Sequence, residues 1–341
     1  MIRSVASFIG CWLLLAILSF GDTVEQPVAL LQDPNLFPSE LFPGLDELDE
    51  SELLLESLMQ HYPGRVLDRS PPEFREQTGD PIILSDTGVI TYIRVLDLSA
   101  ALPAIEESLS GSIALIDFRF VSAAVEPSLN LGSILVGPGK LTLEIIGDYG
   151  VESGIGDTDL LTIRSDDSAA EQAVVIVLTN GMTSGPLEPV LSELQAARRI
   201  IGIGMRTAGR TATYQSIPSY PDWYTISGEI RSDADGSLVD CGFTPAILVD
   251  ATAEEDLAGY QGFDPGRRLS ATLEQAMEKE RFDEARLQRE FSRSVEPSNP
   301  TTDGGTESGD PDEVPAPTDP VFRHAFFVIE GMRALGRLPA D

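Results

Sequence analysis

Residues 174–199, VVIVLTNGMTSGPLEPVLSELQAARR, set two hydroxyls, Thr183 and Ser184, beside Gly185 where an apolar run gives way to a helical pattern. Proline is favoured at the first position of a helix, where its missing N–H has no partner to lose, so Pro186 starts the helix and Gly185 becomes its N-cap, with Glu188 three residues on. Free N–H groups and the positive end of the helix dipole then point at residue 185, which suits an oxyanion or a carboxylate. A hydroxyl there becomes a nucleophile only if a base lies within hydrogen-bond reach. The chain has few bases to offer. His61 precedes the core and His324 lies in the tail, so counting alone speaks against a Ser-His-Asp triad and a His-rich metal site. The lysines are Lys140, in the core, and Lys279. No cofactor motif and no metal-ligand spacing is read.

The turn needs elements to hold it. VITYIRVLDL, SIALIDFRF, KLTLEII, AVVIVLTN, RIIGIGM and WYTISGEI are short apolar runs, and helical segments such as 98–109 and 187–199 fall between several of them. In the second segment Leu187, Val190, Leu191 and Leu194 share one face. Apolar strands that alternate with helices predict an α/β domain with a buried sheet. Upstream, residues 45–62 (LDELDESELLLESLMQHY) carry apolar residues at helical spacing with acids between them, which predicts an amphipathic packing helix.

Composition sets the outer limits. Fifty-five acidic residues against 23 basic ones give a net charge of -32, which repels nucleic-acid phosphates and anionic membrane surfaces. Residues 1–21 join Arg3, an apolar run from Phe8 to Leu18 and small residues at Ser19 and Gly21. This reads as an export signal cleaved after Gly21, with a retained anchor as the alternative and a periplasmic or cell-envelope location as the consequence. Cys11 would leave with that segment, and Cys241, in LVDCGFTP with no histidine nearby in sequence, then reads as a structural thiol without a disulfide partner.

The chain is thus divided into a Pro-rich and helical segment over 22–79, a core over 80–262 and a charged helix over 263–293. An acidic linker follows over 294–320, too poor in apolar residues to repay ordering, and a terminal helix over 321–338. In that helix Phe322, Phe326, Ile329 and Met332 recur at a spacing that docks them on the core.

Five segments in order, GVITYIRVLDLS, IALIDFRF, VVIVLTNGMTSGPLE, IIGIGMRTAGR and DGSLVDCGFTPAILV, resemble the core of the tail-specific or C-terminal processing peptidases, the S41 serine peptidase family. The likeness runs from Gly88 to Val249. It implies a crotonase-like ββα-superhelix core, here preceded by a helical segment. Residues 68–87 leave no room for the PDZ domain that many members insert, a module of about 80–100 residues. It also implies a Ser/Lys dyad, in which a desolvated lysine amine is the base for the serine. Laid on this chain, the nucleophile of the family's TASASE motif falls on Gly185, and the lysine about 25 positions later falls on Arg210. Glycine has no oxygen, and a guanidinium cannot accept a proton near neutrality. In IDFRFVSAAVEP, Phe120 to Ala124 stand where the family has an Asn and paired glycines, so a positive φ and close backbone approach are not expected there. Asp117 and Arg119 remain as an ion pair or loop anchor.

These residues predict an exported, catalytically silent peptidase-like protein. Its vestigial cleft, around Thr183, Ser184, Gly185, Arg210, Asp117 and Arg119, would bind a peptide, a protein partner or a small apolar ligand. Retinoid-binding modules on the same core imply that such a cleft can bind without cleaving. Arg210 would there attract a carboxylate, or stand as a solvated turn residue. The alternatives are a working serine endopeptidase, with Ser184 as a shifted nucleophile and Lys140 as its base, and an envelope assembly protein in which the tail matters more than the cleft.

Overall fold

The computed structural model describes residues 36–45, 48, 55–68, 79–86, 89–147, 158–165, 173–217, 220–263 and 319–336. The export signal, the charged segment 264–293 and the acidic stretch up to 318 lie outside the described residues. The chain divides into two compact units, Met1–Pro71 with Tyr214–Ile226, and Pro72–Thr213 with Ser227–Asp341.

In the first unit a short helix, α1 (Leu55–His61), leads to a strand, β1 (Val66–Leu67). Leu55 and Leu58 are its buried face, one helical turn apart. Phe42 sits between Phe37 and Tyr62, with ring centroids 5.1 and 5.2 Å away, both edge-on. Hydrogen bonds tie down the irregular backbone: Arg65 Nη1 donates to the Leu41 carbonyl at 3.0 Å and Tyr214 Oη to that of Gly64 at 2.6 Å.

The larger unit holds a sheet of β2 (Ile82–Asp86), β3 (Ile90–Arg94), β4 (Ile113–Asp117), β7 (Val174–Thr179), β8 (Ile201–Gly204) and β11 (Ile247–Leu248) in the order β11-β8-β7-β4-β3-β2. The pairs β3–β4, β4–β7, β7–β8 and β8–β11 are parallel, and β2 returns antiparallel on β3. Alternate side chains serve two cores, as the period of two in a strand requires. Ile93, Ala114, Ile116, Val175 and Val177 face α2 (Leu98–Ser108), α3 (Val125–Leu135) and α4 (Leu187–Ala196). Tyr92, Ile113, Leu115, Ile176, Leu178 and Ile203 face the other way. Both faces are covered, which is why these strands read as continuous apolar runs.

A second sheet in this unit is antiparallel: β5 (Gly139–Gly147) pairs with β6 (Thr158–Ser165) and with Gly228–Ser232 of β10 (Tyr220–Ser232). The strand β9 (Ala212–Ile217) also pairs with β10.

The far face of the large sheet is closed by α6 (Pro320–Ala334). Val321, Phe322, Ala325, Phe326 and Ile329 are its buried side, with Met332 half-buried on the same cluster. A fully buried Phe or Ile contributes roughly 1.5–3 kcal/mol, so the helix is held mainly by this stripe. Asp319 caps it, its carboxylate accepting the Phe322 N–H at 2.9 Å. Before it in the chain comes α5 (Ala253–Gln261), opened by a capping box between Thr252 and Glu255. No helix among the described residues is long and apolar enough to cross a membrane.

Candidate functional site

The strand β7 ends at Thr179 and α4 begins at Leu187, so residues 180–186 form the loop at the carboxyl end of a central parallel strand. The loop is tightly bound. Asn180 Oδ1 accepts the N–H groups of Met182 at 3.0 Å and Thr183 at 3.2 Å, and that of Phe120 from the neighbouring loop at 3.1 Å. Thr183 Oγ1 donates to the Phe118 carbonyl at 2.9 Å, and Ser184 N–H to that of Val121 at 2.9 Å. Thr183 and Ser184 are buried while Met182 is 51% exposed.

Gly185 has φ of 86°, a left-handed conformation that favours glycine. Its N–H donates to Glu188 Oε1 at 3.1 Å, and the Arg210 N–H donates to the same oxygen at 2.8 Å. The other oxygen of Glu188 accepts the Gly209 N–H at 2.8 Å and the Thr207 hydroxyl. Glu188 is fully buried, and burial pushes its carboxyl above the ordinary range, offset by Thr207 and the three backbone donors. One carboxylate therefore joins the loop before α4 to the turn after β8, bringing positions 185 and 210 together. The expected N-cap at Gly185 is corrected by one residue: Pro186 is the cap, with helical φ and ψ and no side-chain bond. The anion expected at the helix mouth is the chain's own Glu188.

The other candidates fall into place around this turn. Arg210 is exposed. Ser184 Oγ donates to Ser122 Oγ at 2.9 Å, so its partner is another hydroxyl. Lys140 is exposed on β5, opposite Arg164 of β6. The Cys241 thiol is pushed up by burial, partly offset by the backbone and by Arg206, and donates weakly to the Ser237 carbonyl; a raised thiol is a poor nucleophile. His324 Nδ1 lies 2.8 Å from the Pro320 carbonyl, and His61 is in the last turn of α1. No group of three or more His, Cys, Asp or Glu among the described residues is placed to hold a metal ion.

The loop after β4 departs from expectation. Phe120 takes φ of 64° although it is not glycine, so a positive φ not expected there is reached at this one position. Its N–H donates to Asn180, and its ring lies 4.7 Å from that of Tyr260.

Asp117 and Arg119 belong to a larger buried network. Arg119 grips Asp117 with Nε at 3.0 Å and Nη2 at 2.7 Å, Asp256 with Nη1 at 3.1 Å, and Asp319 with Nη1 at 3.0 Å and Nη2 at 2.8 Å. Asp117 also accepts the Tyr92 hydroxyl at 2.9 Å, and Asp256 accepts Asn180 Nδ2 at 2.7 Å. Arg94 bonds Tyr92 Oη at 3.2 Å and lies 3.9 Å from the centre of the Tyr260 ring. Burial alone would raise the Asp117 carboxyl, but Arg119 and Arg94 together hold it below the ordinary range. Burial raises Asp256, with Arg119 and Asn180 opposing. The same burial, with Asp117, lifts the Tyr92 phenol so that it stays a donor. The network is a scaffold that includes no free base.

No family model and no curated protein matches the chain. Solved structures it is similar to at low identity include a C-terminal processing protease, a protein assigned as an S41 protease and a Streptococcus agalactiae lipoprotein. Among them, the photosystem II D1 C-terminal processing protease is 21% identical over 49% of this chain and 45% of its own, with a TM-score of 0.36. A Parabacteroides merdae protein assigned as a peptidase is 13% identical over 67% and 90%, with a TM-score of 0.42. A Bacteroides fragilis protein assigned as an S41 protease is 15% identical over 56% and 54%, with a TM-score of 0.36. The chain spans about half the length of the first and third of these. Likeness of this size fixes neither activity nor substrate, so the chemistry rests on this chain's own residues.

Proposed function

We propose that this chain is an exported peptidase-like protein that binds a peptide or protein partner without cleaving it. The observation that carries the reading is that Gly185 and Arg210 meet on one oxygen of Glu188, while neither brings the chemistry a dyad needs. Position 185 has no hydroxyl, and the guanidinium at 210 is a solvated cation. The donors that would stabilise an oxyanion are missing as well. Pro186, next after the nucleophile position, has no N–H, and the Phe120 N–H is taken by Asn180. Ser184 faces Ser122, so the shifted-nucleophile reading lacks a base.

What the turn offers a partner is its rim. Met182, Arg206, Arg210 and Cys241 are exposed around a floor of satisfied hydrogen bonds. An apolar side chain against Met182 and a carboxylate against the two guanidiniums is the chemistry that fits. The export signal read in residues 1–21 supports a place in the cell envelope.

The test pairs binding with turnover. Fluorescent unfolded peptides with free and amidated C-termini are titrated with the full chain and then assayed for cleavage. Binding without cleavage, weakened by amidation and by Arg206→Ala with Arg210→Ala, is expected. Cleavage that Ser184→Ala abolishes would overturn the proposal.

A further inference from the structure

Asn180 is the centre from which the rim is positioned, since its side-chain oxygen holds three backbone amides, those of Phe120, Met182 and Thr183. Its orientation is fixed from behind. Asn180 Nδ2 donates to Asp256, Asp256 accepts from Arg119, and Arg119 is gripped by Asp319, the residue that caps α6. Every bond from Asp319 to the loop lies between 2.7 and 3.2 Å. Three of these residues are buried outright, and the Asp319 side chain is 14% exposed. Charged groups facing this line from the packed elements are Asp117 and Arg94, which complete a set of two guanidiniums and three carboxylates.

The approach of α6 leaves no slack. A Cβ on Gly259 of α5 would lie 2.6 Å from the Asp319 Cα, so the backbone of the cap rests directly on that glycine. Phe263, just past α5, and Phe322, in the first turn of α6, both pack on the Tyr92 ring, at 5.1 and 5.3 Å. Asp319 is thus held by charge, by close backbone packing and by the aromatic cluster at the same point.

We propose that docking of α6 through Asp319 positions the rim loop, which makes the C-terminal helix a regulatory strap on the site. The regulation rests on the reading of that rim as a binding surface; the mechanical link does not. Release of Asp319 leaves Arg119 with two carboxylates, loosens Asp256, and frees Asn180 to let go of the Phe120 and Met182 amides; the Thr183 amide keeps the Asn180 carbonyl at 3.0 Å. Partner affinity at the rim then follows the state of a helix that makes no contact with the partner.

Amide hydrogen exchange of the full-length protein, without any partner, tests the link. Asp319→Ala removes the charge and the cap, and Gly259→Ala displaces the cap while keeping the charge. In both variants the Phe120 and Met182 amides are expected to exchange at least about tenfold faster, the size expected for losing one charge-assisted hydrogen bond. Asp319→Asn keeps an acceptor for Phe322 and Arg119, and restores protection in part. Faster exchange in α6 with wild-type rates at those two amides overturns the proposal, and so do wild-type rates throughout. If the link holds, rim binding in the peptide titration weakens in parallel in the same variants. A chain that binds no peptide yet shows the linked exchange refutes the binding reading alone.

Discussion

Glu188 is the residue on which the geometry of the turn depends, and replacing it gives a sharp test. In Glu188→Ala the N–H groups of Gly185, Gly209 and Arg210 lose their acceptor. The Thr207 hydroxyl has an alternative in the Phe243 carbonyl at 3.5 Å. Each buried donor left unmatched costs about 1–3 kcal/mol, and water reaches the half-buried one at Arg210, so a loss of roughly 3–5 kcal/mol is expected. In Glu188→Gln one amide oxygen still serves two donors while the NH₂ meets the others, and the expected loss is roughly 1–3 kcal/mol. Urea unfolding measures both. The pH dependence adds a signed check. Because burial raises this carboxyl, its stabilising contribution is fully present below the ordinary glutamate range, near about 4.3, and declines as pH rises through the folded value. Glutamine does not titrate, so the gap between wild type and Glu188→Gln should narrow as pH rises from about 4. A loss under about 1 kcal/mol for the alanine variant refutes the account of Glu188 as the acceptor that holds two loops together, and a gap that widens with pH refutes a raised carboxyl.

Two further outcomes follow from the same geometry. Rebuilding the dyad with Gly185→Ser and Arg210→Lys should not produce a peptidase: a serine at φ of 86° is strained by about 1–2 kcal/mol, and an exposed lysine with a pKa near 10.4 is neutral in only about one molecule in 2,500 at pH 7. Casein turnover that requires both substitutions would show that reasoning to be mistaken. Asp117→Asn weakens the grip on Arg119 and should cost about 3–5 kcal/mol at neutral pH. Since the Asp117 carboxyl is held low, its contribution is present above the ordinary aspartate range and lost as pH falls through the lowered value, so the penalty seen in thermal melts should shrink below about pH 4.

The strands and the loop at Thr183 were legible because their signals are local: continuous apolar runs for a sheet covered on both sides, and a Gly-Pro step at the start of a helix. The antiparallel β6 was missed. Its residues Leu160 to Arg164 alternate only weakly, and Leu160 is exposed. Glu188 was visible as a residue that could reach back to Gly185, which it does. Its bonds to Thr207, Gly209 and Arg210 were not visible, because they span 19, 21 and 22 residues and two of those donors are backbone amides, which leave no mark on side-chain type. Asp117 and Arg119 could be paired from their spacing. Asp256 and Asp319, 137 and 200 residues from Arg119, could not.

The conformation of Phe120 shows why residue type alone misled. A bulky residue argues against positive φ, at a cost of about 1–2 kcal/mol. Here neighbouring elements offset it: Asn180 of the loop after β7 accepts its N–H, and the Tyr260 ring of α5 packs tilted on its own, a contact of about 0.5–1.5 kcal/mol. Both contacts lead to the network that ends on Asp319. A glycine at 120 would enter the same conformation without help and would need no Tyr260 ring above it. The phenylalanine makes the loop depend on α5 for its shape, and α5 is packed under the cap of α6 at Gly259. Phenylalanine at this position thus ties the loop, through α5, to the C-terminal helix.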